Sequence, residues 1–367
     1  MGQPWPVAKR GKARMASRPV AVKRVRQSPL IRKPKNVPYT RHGSSSSRSR
    51  LDRAVWARCL KDFVNVTAQQ VIDKLKNDKL LPEWKGATCP YCGVGALAAV
   101  LFCAVAQCSQ ASARLLLKNN HKMAESIYSA LYAARAKHVN CHEKNIVFGM
   151  DQDGNALEWA DVEADEVDVA RGEDPNAGPR AQKPIAWAQW GGIVQRGNPK
   201  SLVLFRLKPE KAKRRAPGPG PIRKRGWAPV ASKWLKNRRV ILHADGARSY
   251  KMKVDDVLHD WVVQKEKRVQ VGGKWVWLKP AFTKVRYRDV PDENKPSGTQ
   301  RLWVKCGTQL IDRAWGDLRK AVGKGNAKTV GSVLLRNKVR SFQWAYWNRG
   351  SDLWLATGQM LRDAWAK

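Results

Sequence analysis

Two spacings of apolar residues divide the chain. Between residues 51 and 136 they recur at helical intervals. Leu51, Val55, Leu60 and Phe63 predict a first helix, and Val71, Leu75 and Leu80 give a second its apolar face. The second starts at Thr67, where Thr67-Ala68-Gln69-Gln70 has the form of a capping box. Residues 111–136 predict a longer, basic helix. The spacing then changes to that of strands. Residues 156–169, 185–195 and 201–208 read as three strands in a meander, with Arg196-Gly197-Asn198-Pro199 as one turn. A helical connector over 231–239 leads to Val240-Ile241-Leu242, an apolar run typical of a buried strand, which ends at Asp245-Gly246. A short helix and a fifth strand over 259–266 follow, then a basic hairpin within 267–300 carrying Trp275 and Trp277. Residues 308–322 form a helix whose inner stripe is Leu310, Ile311, Ala314, Leu318 and Ala321. The helices of 329–366 bear Phe342, Trp344, Tyr346, Trp347, Trp354 and Trp365, read as hydrophobic core.

Three antiparallel strands, a helix and two further strands is the order of a ribonuclease-H-like domain. The expected fold class is α/β: a ribonuclease-H-like mixed sheet flanked by helices, with an N-terminal helical and zinc-ribbon-like module. The expected divisions are a disordered basic arm over 1–50, a helical DNA-binding region over 51–145, and the α/β domain over 146–367. The two helices of 51–82 fit either a helix-turn-helix or a packing module.

Charge adds a partner. The net charge is +40, and residues 1–50 hold 14 Lys or Arg and no acid, so most of the excess lies on the rest of the chain. That balance implies a polyanion, DNA or RNA. The arm fits a phosphate contact, a nuclear address or a solvated tail. No apolar stretch reaches the roughly 18 residues of a membrane span, and the start lacks the apolar core of a signal peptide. The expected location is the nucleus in a eukaryote, and otherwise the cytoplasm or nucleoid.

Four of seven cysteines cluster at Cys89, Cys92, Cys103 and Cys108. Cys89-x-x-Cys92 forms one zinc knuckle, but Cys103 and Cys108 are spaced more widely than a second knuckle requires. Structural Zn²⁺ and buried free thiols are both open readings.

The carboxylates suggest chemistry. An acid at the end of a buried strand is poorly placed for stability and well placed to hold a divalent metal, which singles out Asp245. In the first strand Asp161, Glu163 and Asp165 share one face and Glu166 takes the other. Such acids ordinarily mark an exposed edge. Asp312 opens the 308–322 helix, and Asp317 lies about 140° round from it.

Six segments in this order resemble the DDE transposases of the ISXO-type insertion-sequence family and its Merlin relatives, over residues 66–362. They are VTAQQVIDKLKNDKLLPEWKGATCPYCG, VEADEVDVAR, WGGIVQRGNPKSLVLFRL, ILHADGARSYK, QLIDRAWGDLRKAV and FQWAYWNRG. The resemblance implies DNA strand cleavage and transfer by Asp165, Asp245 and Asp312 holding Mg²⁺ or Mn²⁺, with Asp165 bridging two ions. It also implies terminal inverted repeats and target DNA as partners, and a homodimer or larger assembly on DNA. The family's third acid is Glu where this chain has Asp312, and its Asn three residues earlier is Gln309. The alternatives are a DNA-binding protein that has lost catalysis and a nuclease on the same fold.

Overall fold

Among the described residues four α-helices precede the first strand: α1 (Ala68–Asn77), α2 (Val94–Val105), α3 (Gln110–Leu117) and α4 (His121–His142). They belong to a computed structural model of the chain, which describes residues 36–43, 56–80, 94–118, 120–173, 184–208, 211–212, 218–262, 264, 266–323 and 330–365. Thr67 caps α1 as its sequence predicts, its hydroxyl accepting from Gln70 N while Gln70 Oε1 accepts from Thr67 N. The helix expected over 51–63 is a single 3₁₀ turn, Leu60–Phe63, within the described residues. The helix expected over 111–136 is two. Lys118 takes a left-handed φ of 50° that ends α3, and Asn120 caps α4 through Lys122 N.

Strand β1 (Ala160–Glu173) is central. It pairs with β2 (Ile185–Gln195) in antiparallel fashion, and β2 pairs likewise with β3 (Val203–Arg206) and with the short β4 (Lys211–Ala212). Helix α5 (Lys224–Trp234) then leads to β5 (Val240–Ala244), which lies parallel to β1 from Ala160↔Val240 to Glu163↔His243. Strand β6 (Val257–Trp261) extends the sheet parallel to β5, giving the order β3-β2-β1-β5-β6. Two hairpins follow, β7 (Lys267–Val271) with β8 (Lys274–Leu278), and β9 (Thr283–Pro291) with β10 (Thr299–Gly307). Helices α6 (Gln309–Val322), α7 (Val333–Trp347) and α8 (Leu353–Trp365) end the chain.

The result is a mixed α/β fold with helices on both faces of the sheet. Ile311, Ala314, Trp315 and Leu318 of α6 share a core with Val167, Trp190, Val339 and Trp344. Trp227, Ala231 and Trp234 of α5 cover the opposite face with Val162, Ala164 and Leu242. Strands buried on both sides read as continuous apolar runs, which is why Val240-Ile241-Leu242 stood out. Of the late aromatics, Phe342, Trp344, Tyr346, Trp347 and Trp354 are core as expected, Trp344 and Trp354 being wholly buried. Trp354 of α8 packs among the N-terminal helices, and its Nε1 donates to Asp78 Oδ2 at 2.7 Å. The packing is therefore continuous across residue 145.

Several elements depart from their sequence limits. Helix α5 starts at Lys224, inside the predicted basic linker, and keeps Pro229 within it. The stretch after Asp245 is turns, not a helix, and β6 spans 257–261 instead of 259–266. The second hairpin, β9–β10, was not foreseen. Part of the basic arm is docked: Tyr39 and Arg41 lie against β1.

Glycine sets how closely α6 approaches the sheet. Gly192 of β2 lies opposite Asp165. A Cβ on it would stand 2.5 Å from Trp315 Cη2 and 3.1 Å from Ile311 Cδ1. Gly192→Val is expected to force Trp315 outward and cost ~1–3 kcal/mol by overpacking, read from a shifted denaturant midpoint at unchanged slope.

Candidate active site

Of the three acids on one face of β1, Asp161 and Glu163 are buried and Asp165 is half-buried, where the sequence suggested an exposed edge. Two of them are fully engaged in structure. Asp161 accepts from Arg41 Nε at 2.7 Å and from His243 Nε2 at 2.9 Å. Burial opposes its ionisation, but these two partners outweigh burial and hold it well below the usual carboxylate range. Glu163 accepts from Arg196 Nε at 2.7 Å and Tyr39 Oη at 2.6 Å through one oxygen. Its other oxygen accepts from Leu310 N at 2.8 Å and Ile311 N at 3.0 Å, the first turn of α6. A carboxylate there complements both the free amides and the positive end of the helix.

The third acid, Asp165, is spare. Trp315 Nε1 donates to it at 2.9 Å, and the Glu166 backbone N–H favours its ionised form as well. Burial raises its pKa well above the usual carboxylate value, and the charges of Glu166 and Asp312 raise it further. Asp312 of α6 reaches it directly, carboxyl to carboxyl. Two ionised carboxylates repel at that approach, and a shared proton or a divalent cation would relieve the repulsion. Asp312 is itself raised by burial, although Thr308 Oγ1 and Gln264 Nε2 donate to its Oδ2 at 3.0 and 3.3 Å. Asp317 points away, ion-paired with Arg349, as the helical spacing requires.

Asp245 follows directly on the end of β5. The parallel β1–β5 pairing ends at Glu163↔His243, so Asp165 and Asp245 each lie two residues beyond its last pair. Asp245 Oδ1 accepts from Ala247 N at 2.8 Å, closing its own turn. Glu166 stands beside it, accepting from Tyr250 Oη at 2.5 Å and Ile222 N at 3.0 Å. Burial raises Glu166, its two donors lower it, and Asp245 raises it again. The Tyr250 phenol feels Glu166, Asp165 and Asp245 together. Glu166 is therefore a fourth acid of the cluster. Face alternation set it aside, yet the end of a sheet leaves both faces open to one ion.

The three aspartates do not form the tightest donor group. Among the described residues, one set of three His, Cys, Asp or Glu side chains brings its ligand atoms within 4.8 Å of one another: His243, Asp260 and Cys306. No spacing along the chain hints at it, because its members lie on three separate strands. Of the cysteine cluster, Cys89 and Cys92 fall outside the described residues. Cys103 lies in the apolar helix α2 and is buried, and burial together with Cys108 pushes its thiol up to about 11. Cys103 thus lies near the end of α2 and Cys108 just beyond it, and neither is in a disulfide.

The β7–β8 hairpin exposes Trp275 and Trp277 at 58% and 62%, with Phe282 beyond it at 63%. Arg268 lies over the Trp275 ring at 5.1 Å. Among the described residues no helix is long and apolar enough to cross a membrane. No family model, curated protein or solved structure matches the chain.

Proposed function

We propose that the chain is a DDE-type DNA transposase of the ISXO kind, cutting and joining DNA strands at the cluster of Asp165, Asp245 and Asp312. The carrying observation is that Asp165 and Asp245 each lie two residues beyond the last pair of the parallel β1–β5 ladder, with the charge of Asp312 on α6 acting on Asp165 and that of Asp245 on the adjacent Glu166. The strand order and directions, three antiparallel then two parallel to the first, support a ribonuclease-H-like fold.

The donor set fits a hard divalent cation. It is all oxygen, and its members repel one another when ionised without one. Bound there, Mg²⁺ or Mn²⁺ would lower the pKa of a water or 3′-hydroxyl and stabilise the leaving oxygen. The chain does the positioning. Glu163 holds α6 by its amides, so that Asp312 faces Asp165, and Trp315 orients the Asp165 carboxylate. Tyr250 fixes Glu166 at the edge of the cluster.

DNA would be held by charge and stacking. Trp275 and Trp277 stand clear of the core beside Arg268, as a base-stacking surface would. Trp275→Ala with Trp277→Ala is expected to weaken binding to unpaired DNA ends by about 1–3 kcal/mol per ring, measured by fluorescence anisotropy. Competition by salt should be steep for both parent and variant.

The test is a strand-transfer assay with inverted-repeat DNA and Mg²⁺ or Mn²⁺. Nicked and joined products support the proposal. Binding without cutting leaves a DNA-binding protein, and cutting without joining leaves a nuclease.

A further inference from the structure

The β9–β10 hairpin meets the edge of the main sheet at a wholly buried polar group. His243 of β5 and Asp260 of β6 are register partners, and Cys306 of β10 closes over them. All three are 0% exposed.

The hydrogen bonding at this group does not close. His243 Nε2 faces Asp161 Oδ1 at 2.9 Å. Asp161 Oδ2 accepts from Arg41 Nε and its Oδ1 faces the imidazole as an acceptor, so Nε2 carries the proton and Nδ1 the lone pair. That Nδ1 is buried and has no hydrogen-bond partner. On Asp260, Oδ1 accepts from Trp261 N, from Arg286 Nη1 at 2.7 Å and from Arg288 Nη2 at 2.5 Å. Oδ2 is buried and has no hydrogen-bond partner. Two acceptors without a partner thus face the Cys306 thiol in one small space, while Arg286 Nε and Arg288 Nε, on the guanidiniums that hold Oδ1, are buried donors without a partner of their own. A thiol has a single proton and can serve one acceptor. Leaving the other buried and unsatisfied costs roughly 1–3 kcal/mol.

We propose that His243 Nδ1, Asp260 Oδ2 and Cys306 Sγ bind a borderline-soft divalent transition metal, zinc being the natural occupant, and that the ion fastens the β9–β10 hairpin to the sheet. One nitrogen, one oxygen and one sulfur is a donor set for zinc and not for magnesium or calcium. On binding, the thiol proton leaves to solvent as the Zn–S bond forms, and the thiolate and carboxylate balance the two positive charges. The surrounding bonds are those that orient metal ligands. Asp161 fixes the imidazole tautomer, while Arg286 and Arg288 hold the carboxylate by its other oxygen. The chain passes from Cys306 through Gly307 and Thr308 into α6, so the ion would anchor the helix that carries Asp312.

This site does not depend on the transposase reading, and its test uses no DNA. The full chain is stripped with a chelator and reloaded with Zn²⁺ or Co²⁺. Elemental analysis counts the bound equivalents, and cobalt reports thiolate ligation by its near-ultraviolet charge-transfer band. To exclude the other cysteine cluster, the measurement is repeated on a chain with Cys89→Ser, Cys92→Ser, Cys103→Ala and Cys108→Ala. One equivalent and the thiolate band should persist there, and Cys306→Ser should lose both. No band in the chain lacking the four clustered cysteines, or unchanged metal content in Cys306→Ser, overturns the proposal and leaves a thiol hydrogen bond only. If Cys306→Ser does not fold, the band in the chain that keeps Cys306 still decides.

Discussion

Asp165→Asn is expected to abolish metal-dependent DNA cutting while leaving DNA affinity unchanged and the metal-free protein more stable. Removing one metal-holding carboxylate forfeits several kcal/mol of transition-state stabilisation, on the order of 10²- to 10⁴-fold in rate. Asp245→Asn should share that loss. Binding survives because it rests on the basic surface, not on this carboxylate. The gain in stability follows from what surrounds Asp165: burial first, then Glu166 and Asp312, all of which oppose its charge. Asparagine keeps an acceptor for Trp315 Nε1 and offers Asp312 a donor. A variant that cuts as fast as the parent sinks the assignment of Asp165.

The same cluster predicts a pH dependence. Asp165, Glu166 and Asp312 all have folded pKa values above their ordinary ones. The folded state therefore holds more protons than the unfolded chain. Their contribution to stability is whole below about pH 4, the ordinary carboxylate range, and is lost as pH rises through the raised values. A divalent cation restores it by replacing those protons. The rise in melting temperature caused by Mn²⁺ should accordingly be larger at pH 8 than at pH 5. Comparing each pH with and without the ion removes the contribution of acids elsewhere, such as Asp161, that shift the other way.

Glu163→Gln should stop cutting for a different reason, with the opposite sign in stability. Glu163 and Arg196 form an ion pair at 2.7 Å whose side chains are 0% and 1% exposed. Arg196 also donates to Tyr39 O, Lys305 O and Gly307 O, and its guanidinium stacks 3.8 Å from the Tyr39 ring centroid. Removing one charge leaves the other buried and unpaired, at about 3–5 kcal/mol. At roughly 1–2 °C per kcal/mol for a chain of 367 residues, the melting temperature should fall by about 5 °C. Helix α6 loses the anion that holds its first turn, and Asp312 leaves Asp165. Mn²⁺ affinity should fall together with stability, whereas Asp165→Asn lowers affinity while stability rises. Equal melting temperatures for Glu163→Gln and parent would show that the pair does not hold the helix.

Local pattern alone delivered strand β2 to the residue, the capping box at Thr67, the limits of α6, the aromatic core and the burial of β5. Each depends on spacing within one segment, and spacing is a property of sequence. The face shared by Asp161, Glu163 and Asp165 was legible for the same reason. Which of those acids is spare was not, because Asp161 and Glu163 are neutralised by Arg41, His243, Arg196 and the amides of α6, contributed by distant parts of the chain. Glu166 joined the cluster only where the β1–β5 pairing ends. His243, Asp260 and Cys306 carry no spacing signal at all, since strand pairing and the fold of a hairpin bring them together. Sequence set the local periodicities; tertiary contact decided which buried charges have partners and which are left for an ion.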